Sequence, residues 1–508
     1  MAKTRQAFSY LHARKALRQR QEVKRREKTS GEVELAVPAS WEAWLRAVLP
    51  SYFDTFAERH RAFWQWVWAI RPGEPVDPYV AIWPRGGGKS TGAEGAVVAL
   101  GAPRLNGQAA RRYVVYVRET QAQADKSVGN IAEMLESEAV GLYYPGLATR
   151  KVSKFGQLKG WRRDRLYTAS GLVVDALGLD TAARGLKVGR FRPDLIIFDD
   201  IDGRHDTART TKKKTETITD TILPMGTPHC AVLVIQNKMI PHGVVSRLAD
   251  GRADFLVRRR VSGPHKAIDG LRLKTTYDEA LGRNRTLIVG GKATWAGQDL
   301  EACQAYIDRF GVKSFKRECQ HEVDDVEGAL WTSDRINENR VAKPPTRFKR
   351  VAVGVDPSGG AAEIGIVAAG LAYDGHVYVL RDVSGRGKPR QWGRRVSLVY
   401  HLLGADRVVA EKNFGGDMVE ATLKAVDRGL AVRMVSASRG KDVRAEPVSA
   451  LYDDGLVHHV GMFDELETEM TTWRPGDSES PNRMDALVWV ITELMLGTVS
   501  GEVEAAVI

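Results

Sequence analysis

The stretch Trp83-Pro-Arg-Gly-Gly-Gly-Lys-Ser-Thr91 constrains this chain more than any other. The apolar run Tyr79–Trp83 leads into it and the helix-compatible run Thr91–Leu100 follows. Strand, glycine-rich turn and helix together predict a loop whose backbone N–H groups and helix N-terminus face an anion, with glycine allowing close approach. In that layout Gly86, Gly87, Gly88, Lys89, Ser90 and Thr91 bind ATP, Lys89 reaches the terminal phosphates and the Ser90 hydroxyl sits on Mg2+. The loop departs from G-x-x-x-x-G-K-[ST] at Trp83, where the pattern has glycine. It also carries Arg85, whose charge near the phosphates is suited to stabilising a transition state, an effect of ~10³ or more in rate when well placed.

A second signature supports the first. Leu195-Ile-Ile-Phe-Asp-Asp-Ile-Asp202 is an apolar strand ending in carboxylates, the arrangement that holds Mg2+ beside a phosphate loop. Asp199 is the natural metal partner, and either Asp200 or Asp202 is placed to polarise the attacking water. The next apolar run, Ala231–Ile235, ends in Gln236-Asn237, where Gln236 is a candidate γ-phosphate sensor and an ordinary strand-to-turn boundary is the competing reading. Arg184, in a basic loop before the acidic strand, is readable as an arginine finger, a DNA contact or solvated surface.

At 508 residues the chain exceeds one ordinary core, so two or three domains are expected. No apolar run approaches the ~20 residues that span a bilayer, and the basic start lacks the apolar core of a signal peptide. Three widely spaced cysteines suggest neither a disulfide framework nor a zinc site and fit a reducing cytoplasm. The formal charge of +12 is the footprint of polyanion binding. Residues 1–30 hold ten Lys or Arg against two Glu, a net of +8, readable as a solvated tail or a binding arm.

Residues 1–40 read as a basic arm and 41–325 as a first domain of alternating apolar strands and helices, suited to a parallel-rich sheet covered on both faces. Within it Ser51–Ile70 has helical spacing, and 262–325 reads as a helical part packing back on the sheet. Pro344-Pro345 marks a linker over 326–348, followed by a second α/β domain over 349–498 and a tail over 499–508. In that second domain Asp356 ends the first strand, Glu411 ends a later strand and Asp485 opens the last helix. This is the order in which an RNase H-like nuclease assembles acids that hold two Mg2+ or Mn2+ ions ~4 Å apart. Oxygen ligands with no nearby His or Cys pair favour these ions over zinc.

With these motifs in this order, the chain resembles the large terminase subunit of tailed bacteriophages over roughly residues 45–495, and Phe315–His321 with Gly328–Trp331 looks like that family's junction between ATPase and nuclease. The resemblance implies an N-terminal P-loop (RecA/ASCE-like) ATPase domain and an RNase H-like nuclease domain. It implies ATP-driven translocation of double-stranded DNA into a procapsid and metal-dependent cleavage of concatemeric DNA. Carried over by position, Arg85, Lys89 and Ser90 hold ATP·Mg2+ and Asp199 holds the metal, while Asp200 stands where the family usually has a catalytic Glu. The implied partners are a portal protein, a small terminase subunit and further copies in a ring, a pentamer by resemblance, in the host cytoplasm. A helicase–nuclease of repair or transposition shares both chemistries, but 261–337 is too short for a second RecA-like domain; a scaffold with vestigial motifs is disfavoured by the intact Lys89, Ser90 and three acids.

Overall fold

The computed structural model describes residues 36–152, 161–181, 191–279, 282–322, 328–357, 363–412, 416–436, 440–474 and 481–497. Most of the basic arm, Arg184 and the tail after 498 lie outside the described residues.

Seven strands form the first sheet: β1 (Tyr79–Ile82), β2 (Tyr113–Arg118), β3 (Arg165–Tyr167), β4 (Val173–Gly178), β5 (Leu195–Asp199), β6 (Ala231–Gln236) and β7 (Arg260–Ser262). Their order is β3-β4-β2-β5-β6-β1-β7, parallel throughout except for β3 at the edge. Successive residues of each central strand enter opposite cores. Ala81, Tyr116, Ile197 and Ile235 face one cluster, while Val80, Val115, Phe198 and Val234 face the other. Continuous apolar runs are what a sheet buried on both faces requires. The helix α1 (Glu58–Ala69) packs beside α2 (Lys89–Gly101), which starts directly after the glycine loop. Helix α1 is shorter than the Ser51–Ile70 reading, because Ala57 is extended and its N–H is taken by the His60 ring.

The segment 262–325 corrects the helical expectation. It opens with a two-stranded antiparallel hairpin, β8 (Ile268–Asp278) with β9 (Arg283–Ala293), and only then forms α4 (Leu300–Phe310) and α5 (Val312–Gln320), α3 being the earlier Val244–Asp250. Runs such as Lys274-Thr-Thr-Tyr277 against Thr286-Leu-Ile-Val289 are rich in β-branched residues, which fit a half-buried ribbon. Ala267, Ile268, Cys303, Ile307, Phe315 and Cys319 make its small core. The expected linker is likewise partly built into the second domain. Ser333–Glu338 is helical, Trp331 and Ile336 join that domain's core, and Val341 bridges Val460.

The second sheet comprises β10 (Phe348–Asp356), β11 (Gly365–Ala372), β12 (Val377–Asp382), β13 (Arg407–Glu411), β14 (Val432–Val435) and β15 (Val457–His459), ordered β14-β13-β10-β11-β12-β15. Strands β10, β11 and β12 form an antiparallel meander, and β13 and β14 continue in parallel beside β10. Helix α6 (Lys441–Asp453) and the last helix, α7 (Asn482–Ile491), cover one face. Among the described residues no helix is long and apolar enough to cross a membrane.

Two glycines let α7 lie close on the sheet. A Cβ on Gly354 would collide with the Ala486 carbonyl, and one on Gly365 with that of Asn482. This close approach brings Asp485 over the strand end that carries Asp356. Gly354→Ala is therefore expected to destabilise the second domain by about 1–3 kcal/mol through overpacking. Differential scanning calorimetry should show its transition falling while that of the first domain stays in place.

Candidate functional site

The loop after β1 is held from several sides. The backbone N–H of Trp83 donates to the Gln236 carbonyl at 3.1 Å, and the Trp83 ring lies edge-on to His60 and Phe63 at 4.9 and 5.6 Å. The side chain that replaces the pattern's first glycine thus enters the core rather than the mouth of the loop. Gly86 and Gly88 have φ of 79° and 77°, the left-handed region that glycine enters without strain. The His60 Nδ1 accepts from Ala57 N–H at 3.0 Å, so Nε2 carries the proton and donates to the Gly87 carbonyl at 2.9 Å. Burial pushes the pKa of this neutral ring down to about 4. Trp295, just after the hairpin, packs edge-on to the same ring at 4.8 Å, and Gln298 Nε2 donates to the Arg85 carbonyl at 2.6 Å.

Helix α5 completes the clamp. Arg85 N–H donates to the Glu318 carbonyl at 2.9 Å and Arg85 Nη1 to its Oε2 at 3.2 Å. Lys89 Nζ donates to Asn237 Oδ1 at 3.4 Å, and Asn237 Nδ2 to Glu318 Oε2 at 3.1 Å. Lys89, Asn237, Glu318 and Arg85 therefore form one polar chain across the loop. The Arg85 side chain remains 61% exposed, whereas Lys89 is buried. Ser90 and Thr91 occupy the first turn of α2.

Strand β6 separates β1 from β5, so Asp199 ends its strand one strand away from the loop. Asp199 is fully buried; its Oδ2 accepts from Tyr116 at 2.9 Å and pairs with Arg118 at 3.3 Å. Its Oδ1 has no hydrogen-bond partner among the described residues. Burial, and then the neighbouring Asp200 charge, push its carboxyl up to about 6. A buried carboxylate oxygen without a partner, beside a loop with two left-handed glycines and the Ser90 hydroxyl, fits a nucleotide-bound Mg2+. Asp200 has φ 48°, pairs with Arg118 at 3.0 Å and keeps 37% of its side chain exposed.

Two predicted residues are engaged elsewhere. The Asp202 carboxylate accepts from Val244 and Val245 N–H, both at 2.9 Å, at the start of α3. Gln236 Oε1 accepts from Ile201 and Asp202 N–H at 2.8 and 3.0 Å, and its amide donates to the Asp202 carbonyl at 3.1 Å. Both side chains fasten the turn after β5, and Asn237 is the residue that meets Lys89. Glu94, on the second turn of α2, is a further buried acid that the sequence pattern does not mark. It accepts from Asn130 at 2.9 Å, and burial pushes it up to about 7.

In the second domain Val355 pairs with Ala410, which sets Asp356 and Glu411 side by side at the same sheet end. Asp485, from the first turn of α7, joins them; all three are buried. Burial and the Asp485 and Glu411 charges push Asp356 up to about 8. Lys441 Nζ contacts Asp485 Oδ2 at 2.5 Å, Arg444 Nη1 lies 3.6 Å from Glu411 Oε1, and Trp489 Nε1 donates to Glu411 Oε2 at 3.2 Å. Among the described residues no three such side chains already stand at metal-ligating separations. A buried, all-carboxylate donor set nevertheless fits a hard divalent cation, Mg2+ or Mn2+.

Residues 353–494 match the family model described as the terminase RNaseH-like domain. The match covers the second domain, which is thereby a terminase RNaseH-like domain. The strand order β12-β11-β10-β13-β14, with acids at the ends of β10 and β13 and at the start of α7, is that of an RNase H-like fold. Among solved structures, this chain is similar to the large terminase of bacteriophage HK97 at 13% identity, over 86% of this chain and 95% of that one, with a TM-score of 0.41. It is similar at 12% identity to the large terminase of a thermophilic bacteriophage in complex with ATP-γ-S, over 86% and 98% of the two chains, with a TM-score of 0.34. The large terminase nuclease of thermophilic phage G20c with bound magnesium is also similar, at 12% identity over 33% and 98%, with a TM-score of 0.27. A comparison with curated proteins returns no match.

The two carboxylates after Asp199 are separable by their effect on folding. Asp202→Ala removes the acceptor at the start of α3 and should cost roughly 1–2 kcal/mol of stability. Asp200→Ala should leave the melting temperature of the first domain unchanged, as thermal unfolding followed by circular dichroism will show.

Proposed function

We propose that this chain is the large subunit of a phage terminase, an ATPase that drives double-stranded DNA into a procapsid and a metal-dependent endonuclease that cuts the concatemer. The observation that carries the reading is the pairing of two separate acid sets on two sheets: Asp199 one strand away from a glycine loop, and Asp356, Glu411 and Asp485 gathered at one end of an RNase H-like sheet.

At the first site the loop amides and Lys89 cradle the phosphates, and Ser90 and Asp199 hold the metal. Asp200, rather than Asp202, orients the attacking water, because Asp202 is committed to α3. Arg85, at the mouth of the loop and two-fifths shielded, stabilises the charge that develops on the γ-phosphate. At the second site Asp356, Glu411 and Asp485 hold the nuclease metals. Bound divalent ions supply Lewis-acid charge at both sites. In DNA cleavage a water oxygen bonds to phosphorus as one P–O ester bond breaks, leaving a phosphate on one end and a hydroxyl on the other. The basic excess of +12 supports sequence-independent, salt-sensitive contacts with the DNA backbone. The partners of this reading are the portal, the small terminase subunit and further copies in a ring, in the host cytoplasm.

Separate sites predict separable defects. Lys89→Ala should abolish ATP hydrolysis and leave Mn2+-dependent plasmid cleavage intact, and Asp356→Asn should do the reverse. Loss of both activities in either folded variant would overturn the two-site reading.

A further inference from the structure

Helix α6 carries a second cation past the nuclease acids besides Lys441. The Arg444 guanidinium lies 4.5 Å over the Trp489 ring, and its side chain is only 12% exposed. Its Nη1 is 3.6 Å from Glu411 Oε1, beyond hydrogen-bond reach, and neither Nε nor Nη1 has a hydrogen-bond partner among the described residues. Trp489 meanwhile donates to Glu411, so one indole both orients the acid and seats the guanidinium. Lys441 differs in being drawn onto Asp485 at 2.5 Å.

A guanidinium offers five N–H donors in a planar fork that matches phosphate oxygens, and leaving three of them, on two nitrogens, buried without acceptors is costly unless a ligand supplies them. The surrounding carboxylates repel a DNA backbone, and a fixed cation beside them lowers that repulsion. We propose that Arg444 is a catalytic residue of the nuclease, its guanidinium donating to a non-bridging oxygen of the scissile phosphodiester. This rests on the nuclease reading above. As the water oxygen bonds to phosphorus and the P–O ester bond breaks, negative charge grows on the non-bridging oxygens, and Arg444 stabilises it. The water's proton passes to solvent.

The test uses the full chain and two variants, Arg444→Gln and Arg444→Lys, with Asp356→Asn run alongside. Arg444→Gln should lower kcat for plasmid cleavage about 10²–10³-fold, the loss seen when one transition-state donor is removed. The half-saturating Mn2+ concentration and the ATPase rate should stay unchanged. In EDTA, affinity for a short labelled duplex should show a log–log salt slope smaller by about 0.9, one phosphate contact fewer. Arg444→Lys keeps charge and stem over Trp489, so it should fold as the wild type and still lose most of kcat. If Arg444 only neutralises Glu411, the variants will instead shift half-saturating Mn2+ with kcat and salt slope unchanged, and the inference is overturned. If Asp356→Asn is inactive while both Arg444 variants cleave like the wild type, Arg444 alone was wrongly assigned. Cleavage by Asp356→Asn at the wild-type rate would overturn the nuclease reading itself.

Discussion

Carboxylates buried at the ends of sheet strands are the constraint around which both domains are arranged. Taking an ionised acid out of water is expensive, and the structure offsets that cost group by group. Tyr116 and Arg118 serve one oxygen of Asp199, Lys441 serves Asp485, and Trp489 and Arg444 attend Glu411. What is left uncompensated defines the sites. Asp199 keeps one buried oxygen without a partner among the described residues, and Asp356 is pushed up to about 8 by burial and its acidic neighbours. Divalent cations are the natural remedy for both.

The glycine loop is coupled to elements far along the chain. His60 on α1 holds the Gly87 carbonyl, Gln298 holds the Arg85 carbonyl, and Glu318 on α5 binds both Arg85 and Asn237. The turn before α4 and helix α5 are thereby fastened to the loop. Because Lys89 enters the same polar chain through Asn237, charge placed on the loop is felt directly at α5.

What is legible in the sequence is local. Strand, glycine turn and helix around Lys89, the apolar strand ending at Asp199 and the spaced acids Asp356, Glu411 and Asp485 are each written in a short contiguous pattern. The phase of a strand end is not. Gln236 and Asn237 are adjacent, their side chains have different partners, and apolar periodicity does not say which one meets Lys89. Asp200 and Asp202 pose the same difficulty: only the fold shows that the α3 amides claim Asp202. His60, Gln298, Glu318 and Arg444 come from elements distant in sequence, in helical or polar stretches with no mark of what they touch. The hairpin over 268–293 escapes a reading by periodicity because a half-buried ribbon lacks the continuous apolar run by which buried strands announce themselves. Trp83 departs from the loop pattern, yet it is a core side chain following the strand that feeds the loop.

The proposed function requires two separate metal centres in one chain. Anomalous diffraction from crystals soaked with Mn2+ and a non-hydrolysable ATP analogue tests this most directly. Manganese peaks are expected beside Ser90 and Asp199, and separately among Asp356, Glu411 and Asp485. Ordered nucleotide with no peak at Asp199, or saturating Mn2+ with no peak among the three acids, would contradict it.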